Sequence, residues 1–358
     1  MTFRYIGSKS RLVDQIMARV GAKTDGFFVD AFCGTGAVAE AAALAGWPVR
    51  VNDNLHSAVI SAVGRLVSAE QAKFKKLGGY AKVIETLNAC EASDGFIWRT
   101  YSPASLHFCG YERRYFTEEN AARIDAMRDR IREWSEEGSI TETEERLLIA
   151  DLFSALNRVA NIAGTFGCFL AKWMNQAKEP ITLRARELKA ESVALETSVG
   201  DVFEVQADRS DVVYLDPPYT KRQYASYYHI LETVALGDEP EVKGVAGLRP
   251  WKDRASDFCY KTRALATLSR LIDRLQSERI LLSYSSEGHV PIKDLKAELA
   301  KIGYSAMHPL GEIGRYRPNQ VASDTAANVK EYLVVVTKEI AGRERRRRGD
   351  FADSIAFA

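Results

Sequence analysis

The stretch Asp211-Val-Val-Tyr-Leu-Asp-Pro-Pro-Tyr219 constrains the fold of this chain more than any other. Val212, Val213, Tyr214 and Leu215 form a short β-branched and aromatic run, the pattern of a strand buried on both faces of a parallel sheet. Pro217 and Pro218 then end ladder pairing and hold the chain extended. One carboxylate (Asp216), one free carbonyl (Pro217) and one ring (Tyr219) are therefore expected at the carboxyl end of a strand, where open α/β sheets bind ligands. A rigid acceptor pair beside a flat ring suits a planar nitrogen heterocycle that carries an amino group. A bare Asp-Pro-Pro-Tyr would be no more than a stiffened turn. Its flanking strand and a second motif change that reading.

The second motif is Phe27-Phe-Val-Asp-Ala-Phe-Cys-Gly-Thr-Gly-Ala-Val-Ala39. Its first part reads as a buried strand, and Gly34-Thr-Gly36 as a tight turn feeding a helix over Ala37–Ala45. Val49-Arg-Val-Asn-Asp53 is a second short strand ending in an acid, so the segment is a βαβ unit with a glycine loop at its first turn. An acid at the end of the second strand typically accepts hydrogen bonds from ribose hydroxyls. The spacing Gly34-x-Gly36-x-x-Ala39 satisfies only the loose dinucleotide fingerprint. These residues point to a nucleoside-containing cofactor without saying which.

Ahead of this unit, Leu12, Val13, Ile16, Met17 and Val20 share one helical face that Gly21 ends, with Ser8 or Ser10 as the expected N-cap. Tyr5, Gly7 and Lys9 precede or open that helix, where backbone N–H groups and a lysine could hold a carboxylate. From about Asn54 to Ser198 the strand–helix alternation lapses. Thr117 opens a charged amphipathic helix with Ile124, Met127 and Ile131 on one face. Thr141-x-x-Glu144 is a capping box for a second helix carrying Leu147, Leu148, Leu152, Leu156 and Val159, which Gly164 is expected to end. Asn157 and Asn161 share a face of it and are expected to satisfy buried backbone groups. The Leu147–Trp173 part is also compatible with packing on the core.

Alternation resumes at Ser198-Val-Gly-Asp-Val-Phe203, then Asp211–Tyr219, followed by a helical run through Ala235. A helix around Ala264–Leu275, the strand Arg279–Tyr284, a helix around Lys293–Ile302 and the strand Glu331–Thr337 complete the pattern. Gly311–Asn319 reads as an exposed basic hairpin or loop, and Arg343–Arg348 as a basic tail. The domain reading is residues 1–59 and 196–340 as one catalytic α/β domain, 60–195 as an insertion and 341–358 as the tail.

Composition sets limits on function. With 46% hydrophobic and 27% charged residues over 358 positions, the chain reads as a soluble globular protein without an apolar run of about 18 residues. The N-terminus has no apolar signal core, and five scattered cysteines without a Cys-x-x-Cys pair fit reduced thiols in a cytoplasm. Neither cysteine nor histidine spacing gives a metal site, so no metal and no membrane partner are expected.

Together the segments resemble the Dam-like (alpha-group) adenine-specific DNA methyltransferases of restriction-modification systems, in which a cofactor motif, a recognition region and Asp-Pro-Pro-Tyr follow in that order. Tyr5-Ile-Gly-Ser-Lys9, Phe32-Cys-Gly-Thr-Gly36, Asp53, Asp216-Pro-Pro-Tyr219 and Arg222-Gln-Tyr carry the resemblance, with the closing Leu282-Ser-Tyr-Ser-Ser-Glu-Gly288 and Glu331-Tyr-Leu segments similar to restriction-system members, and it covers about residues 3–57 and 195–338. Tyr5 stands where relatives often carry tryptophan, and Thr220 where asparagine is frequent. The resemblance implies a Rossmann-like class I methyltransferase sheet with an inserted, mainly helical target-recognition region. It implies S-adenosyl-L-methionine as cofactor, with Tyr5 and Lys9 near its methionine end and Phe32 and Gly34 packed against it. Asp53 would bind its ribose, Asp201 and Phe203 would sit near its adenine, and Asp30, Gly36 and Asp216 complete the cofactor set. Asp216, Pro217, Pro218 and Tyr219 would form the catalytic centre, and Arg222, Arg315 and Arg317 would contact phosphates of double-stranded DNA, with a cognate restriction endonuclease as companion. A cytosine amine, RNA or a protein amide as acceptor keeps the fold and cofactor. A nicotinamide-dependent oxidoreductase would satisfy the glycine loop and Asp53 but leaves Asp216–Tyr219 without a role, and a catalytically dead DNA-binding protein conflicts with the intact motif.

Overall fold

The computed structural model of the protein describes residues 5–313 and 329–338. Strands β1 (Phe28–Asp30), β2 (Val49–Asp53), β3 (Leu195–Val199), β4 (Val212–Leu215), β5 (Arg279–Ser285), β6 (Tyr304–Ile313) and β7 (Val329–Thr337) form one sheet ordered β3-β2-β1-β4-β5-β7-β6. The first five pair parallel, whereas β7 runs antiparallel to both β5 and β6. From β1 the chain builds outward through β2 to β3, and from β4 outward through β5, so the order reverses between β1 and β4. At that reversal the carboxyl ends of neighbouring strands splay apart and leave a crevice.

Period-two side chains split the strands between two cores. Phe28, Val212, Tyr214 and Leu281 face one layer, while Val29, Val213, Leu215, Ile280 and Leu282 face the other. The first layer begins with α1 (Val13–Met17), α2 (Ala37–Leu44) and α3 (His56–Leu66). It continues through the segment between β2 and β3, which carries α4 (Tyr80–Asn88), α5 (Phe96–Tyr101), α6 (Ser105–Cys109), α7 (Glu118–Glu136) and α8 (Glu142–Val159). Buried side chains of α4, α5, α7 and α8 join the same apolar cluster as the sheet, so this helical segment shares a core with it. After β4, α9 (Tyr224–Tyr227) and α10 (His229–Leu236) return to that face. The opposite face is covered by α11 (Ala264–Arg274) and α12 (Ile292–Leu299); Leu268, Leu271, Ile272 and Leu275 supply the helical stripe.

Local signals act as the sequence suggests at several ends. Thr117 caps α7 by accepting from the Asn120 N–H. Thr141 and Glu144 close a reciprocal capping box on α8, at 3.2 and 2.8 Å. Elsewhere the structure differs. Ser8 and Ser10 bond to each other, and Leu12 occupies the cap position of α1 without a side-chain bond. Helix α8 stops at Val159, well before Gly164, because the Asn161 side chain is committed to the backbone of Arg114, Leu170 and Met174. The run after Arg222 is two helices broken at Tyr228, and β3 starts three residues before the expected Ser198–Phe203 strand and ends at Val199, after which Asp201 caps a short 3₁₀ turn. Gly311 belongs to β6, an edge strand bulged between Pro309 and Gly311. The remainder of the expected Gly311–Asn319 loop, with Arg315 and Arg317, and the Arg343–Arg348 tail lie outside the described residues.

Gly36 caps α2 with φ of 75°, and a Cβ there would sit 2.5 Å from the Ala62 Cα on α3. Its absent side chain therefore serves helix packing. Gly36→Ala combines left-handed strain with overpacking and is expected to destabilise by about 2–4 kcal/mol. Urea unfolding measures it; a midpoint equal to the parent's would show that α2 and α3 have room to part.

Candidate active site

Three carboxylates end neighbouring strands at the reversal point: Asp30 on β1, Asp53 on β2 and Asp216 just past β4. They line one cavity of about 740 Å³, together with Tyr5, Lys9, Phe32, Gly34, Asp201, Phe203 and Pro218. Gly36, Pro217 and Tyr219 lie outside its lining.

The glycine loop and the acid of β2 are tied together. Asp53 accepts from the Gly34 N–H at 3.0 Å and, through its other oxygen, from the Leu55 N–H at 3.1 Å. Gly34 has φ of 50°, and a Cβ there would meet the Tyr5 ring at 3.2 Å. Tyr5 stacks on Tyr228, with ring centroids 4.3 Å apart. Tyr228 Oη accepts from the Ile6 N–H at 2.7 Å and Tyr224 Oη donates to the Ile6 carbonyl at 3.2 Å. The segment after Asp-Pro-Pro-Tyr thus holds the N-terminal Tyr5–Lys9 stretch against the cavity.

Lys9 is only 5% exposed, and its ammonium lies 3.1 Å from Asp216 Oδ1, 3.3 Å from the Tyr219 hydroxyl and 3.5 Å from Glu331 Oε2. Tyr219 donates to Glu331 Oε1 at 3.3 Å, and its ring packs against Tyr284 at 5.6 Å between centroids. Burial alone would push the Lys9 ammonium down, but Asp216, the tyrosines and Glu331 outweigh it and hold the lysine charged, well above its ordinary range. Burial pushes the Asp216 carboxyl up to about 6; Lys9 opposes this and Glu331 adds to it. Asp53 is likewise raised by burial to about 6 despite its backbone donors. Asp30 is raised furthest, to about 8, by burial and then by Asp216 and Asp53, and its Oδ1 is buried without a hydrogen-bond partner.

At the far end of the cavity Phe203 lies under the Arg270 guanidinium at 4.4 Å, and Phe32 meets Phe258 edge-on at 5.5 Å. Phe258 belongs to a strap over residues 251–258, fastened at two points. Asn54 Nδ2 donates to the Arg254 carbonyl at 3.0 Å, and Gln223 exchanges two bonds with the Ser256 backbone at 2.9 and 3.2 Å. Phe258 and this strap escape sequence reading because nothing in their own surroundings marks them, and Glu331, which opens one of the segments that carry the resemblance, has no place at the site by sequence alone. Arg222 is exposed beside the strap. Among the described residues no group of three or more His, Cys, Asp or Glu could hold a metal, and no helix is long and apolar enough to cross a membrane.

The model of the D12 class N6 adenine-specific DNA methyltransferase family matches residues 5–297. The chain belongs to that family. It is 33% identical over 351 residues to the type II methyltransferase M.FokI of Planomicrobium okeanokoites, covering 94% of this chain and 53% of the relative. It is 34% identical over 301 residues to the modification methylase StsI of Streptococcus sanguinis, covering 82% and 45%. The chain thus spans about half the length of these two relatives. The type II methyltransferase M.NlaIII of Neisseria lactamica matches at 30% over 343 residues, 93% of this chain and 99% of the relative. The expected Rossmann-like sheet is present, and Tyr5, Lys9, Phe32, Gly34, Asp53 and Asp216 line one crevice of it.

The raised carboxyls set a pH dependence. Each folded-state value lies above the ordinary 3.8, so folding takes up a proton in between. For Asp30, stability should fall as pH rises from about 4 to about 8 and level off beyond. Asp30→Asn removes that contribution. The variant is expected to exceed the parent by on the order of a few kcal/mol at pH 8, with the gap closing toward pH 4. Urea unfolding across that range measures both slopes, and an equal decline in the variant would exclude Asp30 as the responsible group.

Proposed function

We propose that this chain transfers the methyl group of S-adenosylmethionine to the exocyclic N6 amine of an adenine flipped out of double-stranded DNA. The observation that carries the reading is the half-buried Asp216 carboxylate, paired with Lys9, fixed by Pro217 at the strand end and opening onto the same cavity as Asp30, Gly34 and Asp53.

The cavity residues fit the cofactor on three counts. Its volume suits a nucleoside-sized ligand. The unpartnered Asp30 Oδ1 and its carboxylate neighbours favour a cationic ligand. Gly34 lines the cavity at φ of 50° with Tyr5 packed where a side chain would stand, so any other residue there would push Tyr5 out of the wall. When bound, the cofactor supplies an electrophilic methyl on a sulfonium. Asp53 would hold the ribose hydroxyls, and Phe32, Asp201 and Phe203 the adenine end. Tyr5 and Lys9 would border the methionine end, and Gly36 shapes the loop.

The amine of adenine is a poor nucleophile because its lone pair is delocalised into the ring. Asp216 accepting one N–H and the Pro217 carbonyl the other draw that nitrogen toward tetrahedral geometry. The carboxylate also offsets the positive charge that builds on the nitrogen during transfer. The amine is buried in a duplex, so the base must leave the stack. Tyr219, with Pro218 beside it, offers a ring to receive it, an interaction of about 1–3 kcal/mol. The helical region 60–195 is read as the target-recognition part, with Arg222, Arg315 and Arg317 on phosphates. The restriction-modification setting and a cytoplasmic place of work, with a companion endonuclease, follow from the same reading.

The test is single-turnover methylation of DNA lacking N6-methyladenine, with the product nucleoside identified by mass spectrometry. The parent should yield N6-methyladenine, and Asp216→Ala should be slower by at least about a hundredfold, as when one preorganised transition-state contact is lost. Product on cytosine would keep the site and exclude adenine. Near-parental transfer by Asp216→Ala would remove this motif from the chemistry.

A further inference from the structure

Lys9 poses a difficulty for the proposed chemistry. A buried cation 3.1 Å from Asp216 occupies one acceptor direction of that carboxylate and disfavours positive charge nearby. Glu331 is the second carboxylate on the same ammonium, delivered from β7 and only 5% exposed. Its Oε1 accepts from Tyr219, whereas Oε2 takes no hydrogen bond and faces Lys9 at 3.5 Å. Oε2 is held by the charge of Lys9 alone, with no donor at hydrogen-bond distance, so Glu331 acts on this cluster through its charge. The backbone around it is fixed: Glu331 pairs in register with Ser285, and Lys330 and Ser286 bond across the same two strands.

We propose that Glu331 is a positioning residue that shares the Lys9 ammonium with Asp216, so that the aspartate keeps an acceptor direction free for the amine and the Lys9–Asp216–Glu331 cluster keeps a net negative charge. This rests on the reading of Asp216 as the amine acceptor. One cation between two carboxylates leaves one negative charge where positive charge develops. With Glu331 neutral, Lys9 and Asp216 would cancel.

A role through charge is separable from a role through shape by the pH profile. The groups facing Asp216 are Lys9 from the N-terminal segment, Asp30 from β1, Tyr214 and Tyr219 from its own element, Tyr224 from α9 and Glu331 from β7. The tyrosines are all held neutral by burial, and Asp30 ionises only near pH 8. Transfer should therefore fail in acid as Asp216 takes up a proton near pH 6, a point that Glu331 helps hold up.

The experiment is single-turnover methylation from pH 5 to 8.5 with cofactor saturating, for the parent, Glu331→Gln and Glu331→Asp. Glu331→Gln is expected to be slower by about tenfold or more at neutral pH, with its acid limb moved to lower pH and cofactor affinity unchanged. Glu331→Asp withdraws the carboxylate by one methylene and should move the limb in the same direction by less, which keeps the idea testable if the glutamine variant folds poorly. Slowed variants whose limb stays at the parent's pH would reduce Glu331 to a structural role and overturn the proposal. So would a Glu331→Gln rate within about twofold of the parent's. A parent that methylates adenine beside a parent-like variant sinks only this role, whereas a parent that makes no N6-methyladenine takes both readings down.

Discussion

The buried ammonium of Lys9 is the contact on which the site depends. A lysine removed from water is tolerated only where carboxylates surround it, and taking away a partner of such a pair costs about 3–5 kcal/mol. Here the partners come from two other parts of the chain: Asp216 at the end of β4 and Glu331 within β7. The three residues span nearly the whole sequence, so the cluster assembles only when the parallel half of the sheet and its antiparallel edge are both in place. Folding and active-site assembly are thereby the same event.

Asp30, Asp53 and Asp216 carry the opposite problem, since like charges at neighbouring strand ends repel and burial strengthens the effect. All three are raised above the ordinary carboxyl range, and Asp30 retains an unpartnered oxygen. A site in that state has more affinity for a cation than for a neutral ligand.

What the sequence made legible was what local chemistry determines. The strand into Asp216, the glycine turn and the acid ending β2 depend on residue type and short spacing, and each is found at the crevice. The caps at Thr117 and Thr141 are likewise local. Illegible were features that tertiary partners decide. Tyr304–Ile313 carries Pro309 and Gly311 and so does not read as a strand, yet an edge position with a bulge tolerates both. Gly36 fits the dinucleotide fingerprint in spacing, while its neighbour in space is Ala62. Glu331 opens a segment that carries part of the resemblance, but its contact with Lys9 depends on the β5–β7 register, which no local spacing reveals.

The helical segment between β2 and β3 is joined to this chemistry through a cap supplied from elsewhere in the chain. Helix α3 begins directly after the Asp53–Leu55 turn, and its first N–H groups have no partner within their own segment. Glu232 of α10 reaches across and accepts from the His56 and Ser57 N–H groups at 3.1 and 2.9 Å, and from the Ser57 hydroxyl at 2.9 Å. Burial would raise its carboxyl, but the His56 ring and these donors hold it below the ordinary range, as a charged anion at the positive end of a helix. Helix α8 packs on α3, and α10 follows the Tyr224–Tyr227 turn that grips the Tyr5–Lys9 segment. A displacement of the helical segment would therefore strain α3 at its capped end, one turn from Asp53. The same displacement would reach Lys9 through α10, so the region read as contacting DNA and the residues read as holding cofactor and amine are joined by one set of contacts.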